Sequence, residues 1–337
     1  MIKVAINGFG RIGRLVFRLM EEDPSFEVVA INDLTDPEQL AYLLKYDTNH
    51  RNYRVDDITF DEEGIIVGNR KVKVYSEMDP TNLPWKELEI DEVFECTGKF
   101  VSKEKAMAHI EAGAKKVIIS APAKGDLKTI VYNVNEDILD GTEEIISAAS
   151  CTTNCLAPTV AIIEKEIGIV KGYMTTVHAY TGDQAILDVA HKKGINARRG
   201  RAGAANIVPS STGAASALGL VIPSLQGKLD GSALRVPTST GSVIDLTLEL
   251  KRNTTVEEIN TLFEKNQNET IKITMDPIVS SDIIGSRLGS LVDGLLTKIL
   301  EVDGKQMVKI VAWYDNEMSY SMQMVRTAKY VGKFLEK

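Results

Sequence analysis

An α/β fold is predicted for this chain by two successive textures and by the glycine turn that opens the first. Over roughly the first 150 residues, short apolar runs alternate with helical patterns, which argues for a mainly parallel, doubly wound sheet. After Cys151 the strand-like runs cluster with few helices between them, as in an α+β domain with a largely antiparallel sheet. The turn is N-G-F-G-R-I-G, residues 7–13, set between the first strand and the first helix.

Taken in order, Ile2 to Ile6 reads as a short buried strand. After the turn, R-L-V-F-R-L-M-E-E carries apolar residues at helical spacing. E-V-V-A-I is the second strand and ends at Asn32 and Asp33. V-K-V-Y (72–75), E-V-F-E-C (92–96), K-V-I-I-S (116–120) and T-I-V-Y (129–132) follow as strands, with a helix at 102–112 closed by Gly113. A helix over 151–167 then leads to the strand Y-M-T-T-V-H-A-Y (173–180). The apolar-poor stretch 181–206 carries Lys192, Lys193, Arg198, Arg199 and Arg201. Strands are predicted at 231–236, 242–250, 297–302 and 305–313, with Val302-Asp303-Gly304 as a hairpin turn. A helix over 255–267 has Thr254 or Thr255 as its N-cap. The tail, 317–336, reads as a helix that packs back on the first domain.

The composition is that of an ordinary soluble protein, 44% hydrophobic and 26% charged over 337 residues, enough for two domains. A net charge of -8 disfavours a nucleic-acid-binding surface. Three cysteines, an odd number, do not make a disulfide framework and suggest a reducing compartment. M-I-K-V-A-I-N-G has no basic leader, and no run approaches 18 apolar residues, so a cytoplasmic protein without membrane contact is expected.

Gly8, Gly10 and Gly13 stand at G-x-G-x-x-G spacing. Such glycines allow a tight turn, close backbone approach to a pyrophosphate, and tight helix–strand packing. The helix N-terminus offers N–H groups and the positive end of its dipole. Alone, the spacing also describes a glycine-rich βα turn. Here it follows a strand, opens a helix, and is followed by Asp33 at the end of the next strand, the context of a Rossmann-type dinucleotide site. A carboxylate there accepts ribose hydroxyls and repels a 2′-phosphate, which favours NAD over NADP; it also suits a cap on the following loop.

Cys151 and Cys155 lie in S-C-T-T-N-C, where a loop gives way to a helix, with Ser150 or Thr152 available as caps. A helix N-terminus stabilises a thiolate and lowers a thiol pKa. A metal pair would need more Cys or His nearby, and an i,i+4 disulfide would strain the helix, so no metal is predicted. One reactive and one packing cysteine remain, although burial as two inert side chains also suits the type. Of four histidines, His50 lies in a polar loop, His109 in a helical surface pattern and His191 in the basic stretch. His178 alone sits in a β-rich run, where it reads equally as a core residue or as the base that a nucleophilic thiol needs.

N-G-F-G-R-I-G, S-C-T-T-N-C, T-T-V-H-A-Y-T, S-T-G-A-A, L-R-V-P-T and W-Y-D-N-E occur in that order over essentially the whole length. Together they closely resemble the phosphorylating glyceraldehyde-3-phosphate dehydrogenase family. That resemblance implies an NAD-binding Rossmann domain (1–150, completed by the terminal helix 317–337), a catalytic domain (151–316), and a homotetramer. It implies glyceraldehyde 3-phosphate and inorganic phosphate as substrates, with Cys151 as nucleophile and His178 as its base. Ser150, Thr152, Thr212 and Gly213 would hold the attacking phosphate, Thr181 and Arg235 the substrate's own phosphate, and Arg198 or Arg199 one of the two. Asn316 would hold the nicotinamide carboxamide, with Arg11, Ile12, Thr97 and Ser120 along the cofactor cleft. NAD-specific members often have Leu-Pro where this chain has Val189-Ala190, and an arginine is common near the adenine side where it has Met78; with Asp33 in place the implied cofactor is still NAD, with some NADP tolerance left open. The alternatives are erythrose-4-phosphate dehydrogenase chemistry, which favours water over phosphate, and a non-catalytic partner-binding role.

Overall fold

The computed structural model describes residues 1–191 and 194–335; Lys192 and Lys193 of the basic stretch, and the end of the predicted terminal helix, lie outside the described residues. The chain forms two compact units, Met1–Ser150 with the chain from Ser321 onward, and Cys151–Tyr320.

The first unit is built on the strands β1 (Ile2–Asn7), β2 (Phe26–Asn32), β3 (Ile58–Asp61), β4 (Gly64–Val67), β5 (Arg70–Tyr75), β6 (Glu92–Glu95), β7 (Lys116–Ile119), β8 (Lys128–Thr129) and β9 (Ile145–Ser147). Their order is β3-β4-β5-β2-β1-β6-β7-β9-β8. Neighbours from β5 to β8 run parallel, whereas β3–β4 and β4–β5 are antiparallel hairpins. The chain winds outward from β1 in both directions, through β2 and β5 on one side and β6 to β9 on the other. Crevices open at the carboxyl ends of strands at such a reversal. Val4, Ala5 and Ile6 are wholly buried, as expected of a central parallel strand covered on both faces.

Between these strands lie α1 (Arg11–Met20), α2 (Pro37–Lys45) and α3 (Lys103–Glu111). Asp36 and Ser102 cap α2 and α3 by accepting from Gln39 N and Lys105 N. The sequence patterns missed α2 and the β3–β4 hairpin. The strand expected over 129–132 is confined to Lys128–Thr129. Asn135 explains the break: its side chain accepts from Val131 N (2.8 Å) and donates to Thr129 O (2.9 Å), turning the chain. Ile130 and Val131 are still fully buried, which is why the segment reads as a strand.

The second unit starts with α4 (Cys151–Glu166) and β10 (Ile169–Ala179), followed by β11 (Val208–Ser211), α5 (Ala214–Val221), β12 (Leu229–Val236), β13 (Ser242–Leu250) and α6 (Val256–Lys265). It continues with β14 (Ile271–Thr274), β15 (Ser290–Asp293), β16 (Lys298–Val302) and β17 (Lys305–Tyr314). The order is β11-β12-β10-β13-β17-β15-β14, with β16 on β17. Only β10–β12 and β14–β15 pair in parallel among the described residues, so the sheet is mainly antiparallel. Met174, Leu246, Val308 and Ile310 form part of its buried face.

Thr255, not Thr254, caps α6 by accepting from Glu258 N at 3.1 Å. Asp303 and Gly304 (φ 51° and 73°) make the two-residue turn between β16 and β17. The terminal helix α7 is shorter than predicted, Met318–Val331, and ends in a single 3₁₀ turn, Gly332–Phe334. Within the first unit it is tied by Lys329 Nζ to Asp23 (2.8 Å) and Gln323 Nε2 to Tyr132 O (3.4 Å).

Candidate active site and cofactor cleft

In the first unit a cleft of about 280 Å³ opens where β2, β1 and β6 end, lined among others by Gly8, Gly10, Asp33, Met78, Thr97 and Phe100. The three glycines meet different demands. Gly8 has φ +92°, and a Cβ on it would lie 2.8 Å from Thr97 N. A Cβ on Gly13 would lie 2.2 Å from Gly8 O, so turn and helix touch directly. A Cβ on Gly10 would meet nothing within 4 Å; that space is open. Gly10 also precedes α1, whose N-terminus has no side-chain cap.

Asp33 accepts from Phe9 N (2.8 Å) with Oδ2 and from Thr35 N (3.0 Å) with Oδ1. It therefore braces the glycine turn and caps its own loop, with lone pairs left for hydroxyls. Arg11 instead turns its guanidinium to Asp47, with Nη2–Oδ1 at 3.0 Å and a second, shorter bond from Nη1. Burial pushes the Asp47 carboxyl up, but Arg11 and the His50 N–H outweigh it and hold the group down at about 2. Ser120 N bonds Glu95 O at 3.0 Å, and Thr97 N bonds a Glu95 carboxylate oxygen at 2.8 Å. These residues and the open space at Gly10 suit a dinucleotide.

In the second unit, Cys151 is the first residue of α4, and its Sγ lies 3.4 Å from His178 Nε2 on β10. His178 Nδ1 is 2.7 Å from Ala179 O. A carbonyl only accepts, so Nδ1 carries the proton and the Nε2 lone pair faces the thiol. The register of β10 on β12 puts Arg235 beside His178, Nη1 lying 3.1 Å from Nδ1 while it donates to Ala179 O (3.2 Å) and Thr181 Oγ1 (3.1 Å). Burial, and then the Arg235 charge, pull His178 down to about 3, so the imidazole is neutral at working pH.

The thiol differs from the expectation of a lowered pKa: burial pushes Cys151 up, with Arg235 and Thr152 pulling it back. Nε2, 3.4 Å away, is the base placed to take the thiol proton. Cys155 is fully buried, donates to Ser290 Oγ (3.5 Å) and Ala312 O (3.8 Å), and is pushed by burial to about 12. Its contacts are those of a packing side chain.

An arm of polar groups extends from Arg235. Thr181 Oγ1 bonds Asp183, and Asp183 pairs with Arg199. Arg198 is exposed and, with Arg199, Asp183, His191, Ser210 and Ser211, lines a basic cavity of about 690 Å³. Arg235 Nε is buried and makes no hydrogen bond within the described residues. Thr212 accepts from Ala214 N (3.2 Å) beside Gly213 at the start of α5. Ser150 precedes α4 and is half-buried. Asn316 Oδ1 accepts from Ser242 Oγ (2.8 Å) and Gly241 N (3.2 Å), which fixes the amide with Nδ2 directed away from them.

Two contributors went unseen in the sequence. Tyr314 OH joins Thr152 Oγ1 (2.9 Å) to Thr176 Oγ1 (2.8 Å), and its ring stands edge-on to His178 at 5.9 Å. Thr152 is thus engaged sideways with Tyr314 at the end of β17. A tyrosine that ends an apolar strand needs a partner for its hydroxyl, and that was the available signal. The second is His109, read as a surface residue but completely buried. It sits on the α3 face shared with Ala106, whose small side chain hides the apolar stripe.

The chain is similar over nearly its whole length to known proteins. Residues 2–103 match the model of the glyceraldehyde 3-phosphate dehydrogenase NAD binding domain, and residues 150–316 that of its C-terminal domain. Proteins called glyceraldehyde-3-phosphate dehydrogenase from Clostridium pasteurianum, Clostridium acetobutylicum and Streptococcus pyogenes are 58%, 56% and 55% identical, each over 99% of both chains. The chain accordingly belongs to the glyceraldehyde-3-phosphate dehydrogenase family of NAD-dependent oxidoreductases.

Proposed function

We propose that the chain converts D-glyceraldehyde 3-phosphate and inorganic phosphate to 1,3-bisphosphoglycerate by way of a thioester on Cys151. The observation that carries this is the 3.4 Å approach of Cys151 Sγ to an unprotonated His178 Nε2. Nε2 takes the thiol proton, the thiolate adds to the aldehyde carbon, and the carbonyl oxygen takes the proton back, giving a hemithioacetal. His178 then accepts that hydroxyl proton as the carbon is oxidised to the thioester. Phosphate oxygen attacks the thioester carbonyl, the C–S bond breaks, and the departing thiolate regains its proton from the imidazolium. Bound NAD supplies the hydride acceptor of the oxidation. Gly8, Gly10, Gly13, Asp33 and Thr97 would hold it, and Asn316 Nδ2 would donate to its carboxamide.

The Arg235 guanidinium, whose Nη1 meets the Thr181 hydroxyl at 3.1 Å, supports this pair as the seat of the substrate's phosphate ester. Arg199, joined to Thr181 through Asp183, suits a phosphate-binding role better than exposed Arg198. Ser150, Thr152, Thr212 and Gly213 supply hydroxyls and backbone for the attacking phosphate. Exposed Tyr173, Leu300, Val302 and Met307 share the sheet face opposite the helices, which supports a homotetramer. Three unpaired thiols suit the cytoplasm, and no helix among the described residues is long and apolar enough to cross a membrane.

The test is NADH formation from glyceraldehyde 3-phosphate with and without phosphate, and with NADP in place of NAD. Sustained turnover is expected only with phosphate and NAD. Turnover independent of phosphate would overturn the assignment.

A further inference from the structure

Beneath the cofactor cleft lies a buried polar network that the mechanism does not use. Asn32, Asn7 and Glu95 are the last residues of β2, β1 and β6, adjacent parallel strands, and all are buried. Asn32 Nδ2 donates to Asn7 Oδ1 (2.7 Å), and Asn7 Nδ2 donates to Glu95 Oε2 (2.6 Å). Glu95 Oε1 accepts from the N–H (2.8 Å) and hydroxyl of Thr97. The fourth donor to this carboxylate is His109, whose Nε2 is 3.2 Å from Oε2.

The imidazole has one possible tautomer. Trp85 Nε1, a donor only, lies 3.1 Å from His109 Nδ1, so Nδ1 accepts and Nε2 bears the proton. That proton points at Glu95, and the 3.3 Å approach of Asn7 Nδ2 to Nε2 is then two donors sharing one oxygen. The ring also meets Phe100, a wall of the cleft, edge-on at 6.0 Å.

We infer that His109 is a positioning residue for the cofactor: oriented by Trp85, it holds Glu95, and Glu95 holds Thr97 against the Gly8 turn. The last link is steric. Gly8 is packed so closely on Thr97 that a Cβ there would be 2.8 Å from Thr97 N. A Thr97 loop released from Glu95 shifts the backbone turn that the pyrophosphate must approach. This rests on the reading of the cleft as the NAD site.

The experiment measures Kd for NAD by titration calorimetry, and KM for NAD and for glyceraldehyde 3-phosphate, in wild type, His109→Leu, His109→Gln and Trp85→Phe. His109→Leu removes the donor and should raise Kd about tenfold, or roughly 1.4 kcal/mol, with most of the change in KM for NAD and little in KM for the aldehyde. A glutamine amide can donate to Glu95 and accept from Trp85, so His109→Gln should stay within about threefold of wild type. Trp85→Phe, which frees the ring to take either tautomer, should fall between. A folded His109→Leu or Trp85→Phe protein with wild-type Kd, or a His109→Gln protein as weak as His109→Leu, overturns the inference. Should His109→Leu not fold, the other two variants decide. Failure of the wild type to bind NAD would instead refute the cleft assignment itself.

Discussion

His178 and Arg235 stand opposite each other in the parallel register of β10 and β12, with Nη1 3.1 Å from an Nδ1 that already carries a proton. A cation held beside an imidazole keeps it neutral, and burial acts in the same direction. The folded value near 3 lies below the ordinary 6.5, so between these the unfolded chain binds more protons. The stability contributed is complete above about pH 6.5 and is lost as pH falls toward 3, with a slope up to about 1.4 kcal/mol per unit. Urea unfolding at pH 7, 6 and 5 should show a steeper loss for wild type than for His178→Asn. Equal slopes would show that His178 is not held neutral.

The two cysteines of S-C-T-T-N-C should respond differently to replacement. Cys151→Ser should lower kcat by at least about 10³-fold, because it removes the nucleophile. Cys155→Ala removes only weak hydrogen bonds and a small buried volume, so it should cost about 1 kcal/mol of stability and spare activity. In wild type, iodoacetamide should modify Cys151 first, with inactivation tracking the first equivalent. Label found first on Cys155 would contradict the assigned burial.

The glycines separate binding from folding. Gly13→Ala places a methyl 2.2 Å from Gly8 O and should destabilise by about 1–3 kcal/mol. Gly10→Ala meets nothing within 4 Å, at φ −74°, and should leave the melting temperature nearly unchanged. Its methyl enters the space a pyrophosphate would use, so Kd for NAD should rise at least about tenfold, or 1.4 kcal/mol. Unaltered NAD affinity in a folded Gly10→Ala protein would move the phosphate site elsewhere.

Tyr314→Phe leaves the hydroxyls of Thr152 and Thr176, both buried, short of a partner. The expected loss is about 1–3 kcal/mol in chemical denaturation. Thr176→Val in the Tyr314→Phe background should recover part of it, since an apolar group replaces an unpaired one. A neutral Tyr314→Phe would mean that water serves both threonines.

Much of the fold was legible because apolar runs and their punctuation are local. Ile2–Asn7, the glycine turn and α1 follow from adjacent residues, as does the Asp303-Gly304 turn, whereas the choice of Thr255 over Thr254 as cap came from the structure. What failed were segments where burial and backbone pairing part company, such as Ile130 and Val131, or where a buried face is built from alanine, as around His109. At the site, Cys151 and His178 are 27 residues apart and recognisable by type, and the structure brings them within bonding distance. Tyr314 was not recognisable: its partners lie 138 and 162 residues away, and only the sheet register brings them to one hydroxyl. Trp85 and Glu95 likewise gain meaning only once α3 is laid beside β6.

The ladder Asn32–Asn7–Glu95–Thr97 is closed by the chain's own groups, with each buried amide and carboxylate already satisfied. The conformational entropy of ordering that floor is therefore lost during folding and not on capture of a ligand. Affinity in such a cleft is governed by the contacts themselves, and calorimetry on it reads desolvation and direct bonding with little contribution from loop closure.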